Sequence, residues 1–209
     1  TPVSSMEQPS GFMTTEQLID FVKKGQIETV MVQMIDLYGR PLGKLFDADF
    51  FVENAMQHGH HVCNYFLTVD MPMNVVEGFK GCFNWNAGYG DLHCVPDLRT
   101  LRYCAWREQT AVVQCDVRHK DGSVVAVSPR AILRGQIAAL EVDGIKANVA
   151  SELEYFMFRE TYRGAHLKKH TDLESFGQYV EDYHILQGSR SEFYHRDCRR
   201  ALKQSGIKV

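Results

Sequence analysis

Two glutamates one residue apart, in Ser151-Glu152-Leu153-Glu154-Tyr155-Phe156-Met157-Phe158, are the sharpest chemical feature of this 209-residue sequence. Side chains alternate along an extended chain, so Glu152 and Glu154 point the same way and Phe156 and Phe158 continue that face. Neighbouring carboxylates repel unless a cation lies between them or water solvates both. Their oxygens suit hard cations such as Mg2+ or Mn2+. A solvated strand end fits the same residues, and the pattern alone leaves both readings open. His58, His60 and His61 are a second candidate, either for a transition metal or as a solvated helix end favoured by the helix dipole. His93, beside Cys94 in an apolar run, reads as packed. Asp70 closes an apolar stretch and opens a glycine-containing loop, a place for a site residue and equally for a turn-forming Asp. No P-loop, G-x-G-x-x-G, G-x-S-x-G or H-E-x-x-H pattern occurs.

Something must hold these residues in place, and the composition says what kind of chain does so. Apolar residues make up 44% and charged residues 23%, an ordinary globular balance. A net charge of -3 leaves no global basic field for a nucleic acid backbone. No apolar run approaches the roughly 20 residues a membrane helix needs. The first residues, TPVSSMEQPSGF, have no basic or apolar signal-peptide region, and the missing initial Met reads as a processed or trimmed start. The six cysteines, Cys63, Cys82, Cys94, Cys104, Cys115 and Cys198, form no C-x-x-C pair and read as reduced, buried thiols of a cytoplasmic protein.

Residues 1–13 read as a flexible lead-in. Thr14 caps a helix over TEQLIDFVKKG, with Gln17 as its capping-box partner and Gly25 as its stop. ETVMVQMIDL and LGKLF read as a hairpin over 28–46, joined at YGRP. Asp47 caps a helix through His58, ended by Gly59, and HVCNYFLTV follows as a strand. Residues 71–90 read as a long loop, of a length that is functional or mobile. DLHCVP, AVVQCDV and SVVAV read as short strands, the last two joined by a turn at 119–122. The pattern shifts near 127. SPRAILRGQIAALEVDG is a helix with Pro at its first position, an apolar stripe at Leu133, Ile137 and Leu140, and Gly144 at its end. IKANVASELEYFMFRE reads as one long strand, and 191–205 as a last helix with Tyr194, Cys198, Ala201 and Leu202 on one face. The fold class is therefore α+β, with a strand-rich unit over 14–127 and an incomplete second unit over 128–209. The second unit carries little apolar mass for a core of its own. It reads as a fragment, or as a unit completed by another chain.

Taken in order, several pieces together resemble the glutamine synthetase family. They are VMVQMIDLYGRPLGKLF, YFLTVDMPMNVVEG, YGDLHCVPDLRTL, CDVRHKDGSVVAVSPRAIL and SELEYFMF. The resemblance runs through the chain, is loose over 161–190, and is most specific in the ordered pairing of DG…PR…L with ELEYFMF. It implies a β-grasp-like N-terminal domain followed by the start of a catalytic domain around a curved antiparallel sheet. It implies an ATP-dependent ligase that activates the γ-carboxylate of glutamate as γ-glutamyl phosphate, which ammonia or an organic amine then attacks. Carried over, Glu152 and Glu154 bind different divalent ions, Mg2+ or Mn2+, and Asp70 is the acceptor-loop carboxylate. The family further implies a ring-like homo-oligomer, up to a dodecamer, in which that loop reaches a neighbouring subunit's site.

The sequence departs from the family at that loop. Ammonia users carry Asp-Gly-Ser-Ser there, whereas this chain reads Val69-Asp70-Met71-Pro72-Met73. Two methionines make an apolar, adaptable wall, which points to an organic amine or polyamine. Family chains are roughly twice this long, beyond one domain of usual size, so the 209 residues alone are expected to be inactive. Two competitors stand beside the ligase. One is a non-catalytic glutamine-synthetase-like assembly protein, against which the intact Glu152/Glu154 pair speaks. The other is an unrelated β-grasp binding module.

Overall fold

The computed structural model describes residues 8–76, 83, 84, 86 and 88–209. They divide into two compact units, Thr1–Lys146 with Ala201–Val209, and Ala147–Arg200.

The first unit is built on a five-stranded sheet, and its elements follow from local chemistry. Helix α1, Thr15–Lys23, starts at Thr14, whose hydroxyl accepts from Gln17 N–H while the Gln17 side chain returns a bond to Thr14 N–H. This is the capping box read from the sequence. The helix buries Leu18 and Phe21. Strands β1, Thr29–Ile35, and β2, Pro41–Asp47, form the expected antiparallel hairpin. Every second residue of β1 is buried, which turns Val30, Val32 and Met34 inward. At Gly43 an added Cβ would lie 1.8 Å from the Val32 carbonyl oxygen, so the hairpin tolerates no side chain there.

Helix α2 runs over 48–58, with Asp47 accepting from Phe50 N–H at 3.1 Å and a π-helical turn over Phe51–Ala55. Gly59 ends it in the left-handed region, with φ at 65°. Strand β3 is only His60–Cys63. The expected strand through Val69 breaks into a 3-10 turn at Asn64–Leu67, which buries Asn64, Phe66 and Leu67.

Strands β4, Asp91–Tyr103, and β5, Thr110–Arg118, complete the sheet in the order β2-β1-β5-β4-β3. Only the β1–β5 pair is parallel. The pattern predicts a short strand at DLHCVP. In the structure it continues to Tyr103 through an irregularity between Asp97 and Arg102. SVVAV is not a strand; it contributes a single bridge, Val124 with Arg118.

Helix α3, Pro129–Val142, follows Ser128 with Pro at its first position, as expected. Its attachment is not the expected apolar stripe, since Leu133 and Ile137 are exposed and Leu140 is only half-buried. Polar side chains tie it to the sheet instead. Arg130 reaches Asp97 of β4 at 2.8 Å and Asp116 of β5 at 3.0 Å, and Arg134 reaches the same two at 2.7 and 2.9 Å.

The second unit carries little regular structure. Helix α4 is Tyr162–Leu167, α5 is Ile185–Gly188, and α6 starts at Glu192 and ends at Gln204, in the part of the chain that belongs to the first unit. The long strand expected over 145–160 is not formed. Among the described residues its only pairing is at its far end, where Phe158 bridges Ser175 and Met157 C=O accepts from Phe176 N–H at 2.9 Å. A strand persists by ladder bonds to a neighbour, and residues 145–156 have no neighbouring strand among those described. No helix among the described residues is long and apolar enough to cross a membrane.

Candidate functional site

Asp70 lies in a tight turn that its own side chain helps to close. Its N–H donates to Asn74 C=O at 2.9 Å. Its Oδ1 accepts from Asn74 N–H at 2.7 Å and its Oδ2 from Asn74 Nδ2 at 3.2 Å. The turn-forming role is thus realised. Each carboxylate oxygen still has a free lone pair, and the residue is half-buried. Met71, Pro72 and Met73 follow it and are exposed. Met73 takes φ of 73°, left-handed backbone that costs a non-glycine residue about 1 kcal/mol or more.

This turn is held from the β1–β2 hairpin. Asp36 is buried and accepts from the backbone N–H groups of Tyr38 at 2.9 Å and Arg40 at 2.8 Å. The Arg40 Nε donates to Asp36 Oδ2 at 2.7 Å. The other two guanidinium nitrogens cross to the loop, to Met71 C=O at 2.5 Å and Asp70 C=O at 3.0 Å. Sequence reading missed this contact. Asp36-Leu-Tyr-Gly-Arg40 does announce a turn with an i,i+4 ion pair, but the acceptors lie 30 residues further on.

Glu152 and Glu154 sit in the second unit, on the extended stretch, exposed and without hydrogen bonds or ion pairs among the described residues. Glu154 lines a cleft of about 680 Å3 within that unit, together with Tyr155, Tyr179, Glu181, Asp182 and His195. Tyr155 is tethered there. Its hydroxyl lies 2.6 Å from His195 Nε2, and His195 Nδ1 lies 3.3 Å from Ser191 Oγ, which donates to Gly188 C=O at 3.1 Å. Those directions are mutually consistent with His195 protonated on Nδ1 and Tyr155 donating to Nε2. Burial and the neighbouring Cys198 hold the Tyr155 phenol above its ordinary pKa, which keeps the donor proton in place. The tether was not legible in the sequence, because it joins residues 40 positions apart.

Carboxylate oxygens suit Mg2+ or Mn2+, but such ions take about six oxygen ligands. Among the described residues no group of three or more His, Cys, Asp or Glu side chains stands close enough to hold an ion. Glu152 and Glu154 therefore fit in donor chemistry and not in number, and the described residues do not build the metal site by themselves.

Among the described residues the histidines do not gather into a ligand set; His58 and His61 are exposed at and just past the end of α2, as the solvated-end reading has it, but His60 is not. His58 closes α2, while His60 is buried in β3 with neither ring nitrogen partnered among the described residues. Burial, with Lys44 adding to it, pushes His60 down to about 4. His61 stacks on His93, ring centroids 5.1 Å apart, and the His93 Nε2–H donates to His58 C=O at 2.7 Å. Cys94, Cys104 and Cys115 are buried free thiols, Cys63 and Cys198 are half-buried, and Cys82 and Trp85 lie outside the described residues. Burial pushes Cys94 up to about 12 and raises Cys115, which keeps both inert as nucleophiles.

Known proteins define the class. No family model matches the chain. A gamma-glutamylethanolamide synthetase of Streptomyces coelicolor is 38% identical over 208 residues, covering 100% of this chain. A glutamate–isopropylamine ligase of a Pseudomonas species is 29% identical over 188 residues, and a glutamine synthetase of Methanosarcina mazei 26% over 207, covering 90% and 98% of this chain. Among solved structures, a novel glutamine synthase homolog has a TM-score of 0.48 at 16% identity, over 56% of this chain and 27% of that one. The chain belongs to the glutamine synthetase family. It spans 44%, 41% and 42% of the three relatives' own lengths.

Proposed function

We propose that this chain is the N-terminal portion of a cytoplasmic, ATP-dependent ligase that joins an organic amine to the γ-carboxylate of glutamate, the remaining active-site groups coming from polypeptide beyond these 209 residues. In this reading the sheet of the first unit is the family's β-grasp-like domain. A γ-carboxylate oxygen of glutamate takes the γ-phosphoryl group of ATP and ADP leaves. The amine nitrogen then attacks the acyl carbon, inorganic phosphate departs, and the nitrogen loses a proton. Glu152 and Glu154 would each lend an oxygen to a divalent cation. Bound there, Mg2+ or Mn2+ would neutralise charge while the phosphoryl group moves.

The observation that carries the amine reading is the loop after Asp70. Met71 and Met73 are exposed and offer methyl and thioether surface in place of hydroxyls. Asp70 keeps acceptor capacity to hold the charge of an alkylammonium ion, while the methionines contact its carbon chain. Each buried CH2 contributes about 0.8 kcal/mol, roughly fourfold in affinity. The names of two relatives, an ethanolamide synthetase and an isopropylamine ligase, support an alkylamine acceptor.

The test is kcat/KM for ammonia, methylamine, ethylamine, ethanolamine and a polyamine, with the full-length enzyme under saturating ATP and glutamate. An alkylamine is expected to exceed ammonia by one to two orders of magnitude, about two to three CH2 groups' worth. Ammonia ranking first would reject the acceptor assignment. Run on the E152Q/E154Q double variant, the same assay should lose its dependence on Mg2+ or Mn2+ along with its activity. An unchanged metal dependence would remove those two residues from the metal site.

A further inference from the structure

We infer that Arg40, at the start of the β2 arm of the hairpin, is a positioning residue for the amine acceptor, acting through the backbone of the Asp70 loop. The inference rests on the reading of that loop given under Proposed function. Arg40 touches neither acceptor nor phosphate in it. Its role is to fix the two peptide groups from which Asp70 and Met71 project.

The geometry uses the guanidinium as a three-way joint. Nε faces inward to Asp36 Oδ2 at 2.7 Å, while the two terminal nitrogens reach the consecutive carbonyls of Asp70 and Met71 at 3.0 and 2.5 Å. Two donors set at a fixed angle on two successive carbonyls define the orientation of the peptide plane between them. The inner anchor does not wander. Asp36 is buried, and its other oxygen is held by the backbone N–H groups of Tyr38 and Arg40. The Tyr38 ring covers one face of the guanidinium, with its centroid 5.2 Å away.

The loop needs such support from outside. Its internal bonds all run between Asp70 and Met73 or Asn74: Met73 N–H to Asp70 C=O at 3.0 Å, Asp70 N–H to Asn74 C=O at 2.9 Å, and Asn74 N–H and Nδ2 to the Asp70 carboxylate at 2.7 and 3.2 Å, and they close around a methionine at φ 73°. The Asp70 carbonyl thus accepts from both Met73 and Arg40. Without Arg40 the strained turn can open, and the carboxylate and the methionine wall lose their shared register. Lysine cannot replace this, because one ammonium point charge cannot define a plane between two carbonyls while also holding Asp36.

The experiment uses the full-length enzyme with Arg40→Met and Arg40→Lys. Two readouts are taken: hydrogen exchange of the 69–76 segment, and the KM values of amine, glutamate and ATP. Exchange at Met73 and Asn74 should quicken by roughly tenfold, the equivalent of about 1.4 kcal/mol. The amine KM should rise by a similar factor, with the glutamate and ATP KM values unchanged within about twofold. Arg40→Lys keeps a charge on buried Asp36 and should fold even where Arg40→Met does not, yet show the same split. Unchanged exchange in Arg40→Lys overturns the latch whatever the kinetics do. A uniform rise of all three KM values makes Arg40 merely structural and also overturns the inference. Faster exchange with an unchanged amine KM leaves the latch standing and removes the loop from the acceptor site. In that case the reading of Asp70 has failed and the inference with it.

Discussion

His60 enters the core without a hydrogen-bond partner for either ring nitrogen among the described residues, so its charge state is tied to folding. Burial and Lys44 lower it from 6.5 to about 4. The unfolded chain therefore binds a proton between those pH values that the folded chain does not. Stability from this group is fully present above pH 6.5 and is lost as pH falls toward 4. Between pH 7.5 and pH 5 the loss is on the order of 1–2 kcal/mol once partial solvent access is allowed for. His60→Phe keeps the ring against Phe46, whose centroid lies 5.3 Å away, and should flatten this slope at little or no cost at pH 7.5. Urea unfolding of both proteins at the two pH values checks it, and parallel slopes would contradict it. In the sequence this histidine was one of a polar-looking trio at a helix end. The one-residue step past Gly59 that turns it inward as a strand residue has no sequence signature. Asp70 was legible as a turn former because Asp closes turns through its own neighbours. Arg40 was not, because its acceptors are backbone carbonyls, and every residue has one.

Among the elements, those fixed by near neighbours were readable and those fixed by distant ones were not. Thr14 with Gln17, the β1–β2 hairpin, Asp47 before α2, and Pro129 with Gly144 around α3 are all local chemistry, and the structure has each of them. The extended stretch of 145–160 misled for the opposite reason: its alternation is that of a strand, but a strand is a relation between two segments. α3 shows the same limit. The sequence shows its apolar stripe at Leu133, Ile137 and Leu140, whereas in the structure Leu133 and Ile137 are exposed and Arg130 and Arg134 hold the helix to Asp97 and Asp116. The hydrogen bond from Arg99 and the nearby Arg130 and Arg134 charges hold the Asp97 carboxyl below the usual carboxylate range. Asp97→Asn removes one of the two carboxylates that both α3 arginines share and leaves the partly exposed guanidinium groups with Asp116 alone, so it should cost about 1 kcal/mol. The loss should appear as faster hydrogen exchange along 129–142, with the β1–β2 hairpin unaffected. Equal loosening of both segments would show that Asp97 serves the sheet rather than the helix.

At the scale of the whole molecule, the two units differ in how much of their apolar surface is covered. The first buries a continuous core from Met13 to Val125. In the second, Val149, Leu153 and Phe156 are 90%, 84% and 88% exposed, and Ile185 is 83% exposed. Surface of this kind marks contact with further protein. In the full-length protein the stretch around Phe156 is accordingly expected to be covered by further polypeptide or by a neighbouring subunit, and the resemblance to the glutamine synthetase family implies the second, a homo-oligomer. Chymotrypsin reads this directly, because proteases cut extended backbone that lacks ladder bonds. In the isolated 209-residue chain, cleavage at 153–158 should precede any cut within β1, β4 or β5. In the full-length protein the same bonds should resist by at least an order of magnitude, about 1.4 kcal/mol or more of added local protection. Light scattering on that sample should give a mass that is a multiple of the protomer's across a range of concentrations. A monodisperse monomer cut at Phe156 as fast as the isolated chain would mean that nothing covers this surface, and both the oligomer and the assignment of Glu152 and Glu154 to an enclosed metal site would have to be abandoned.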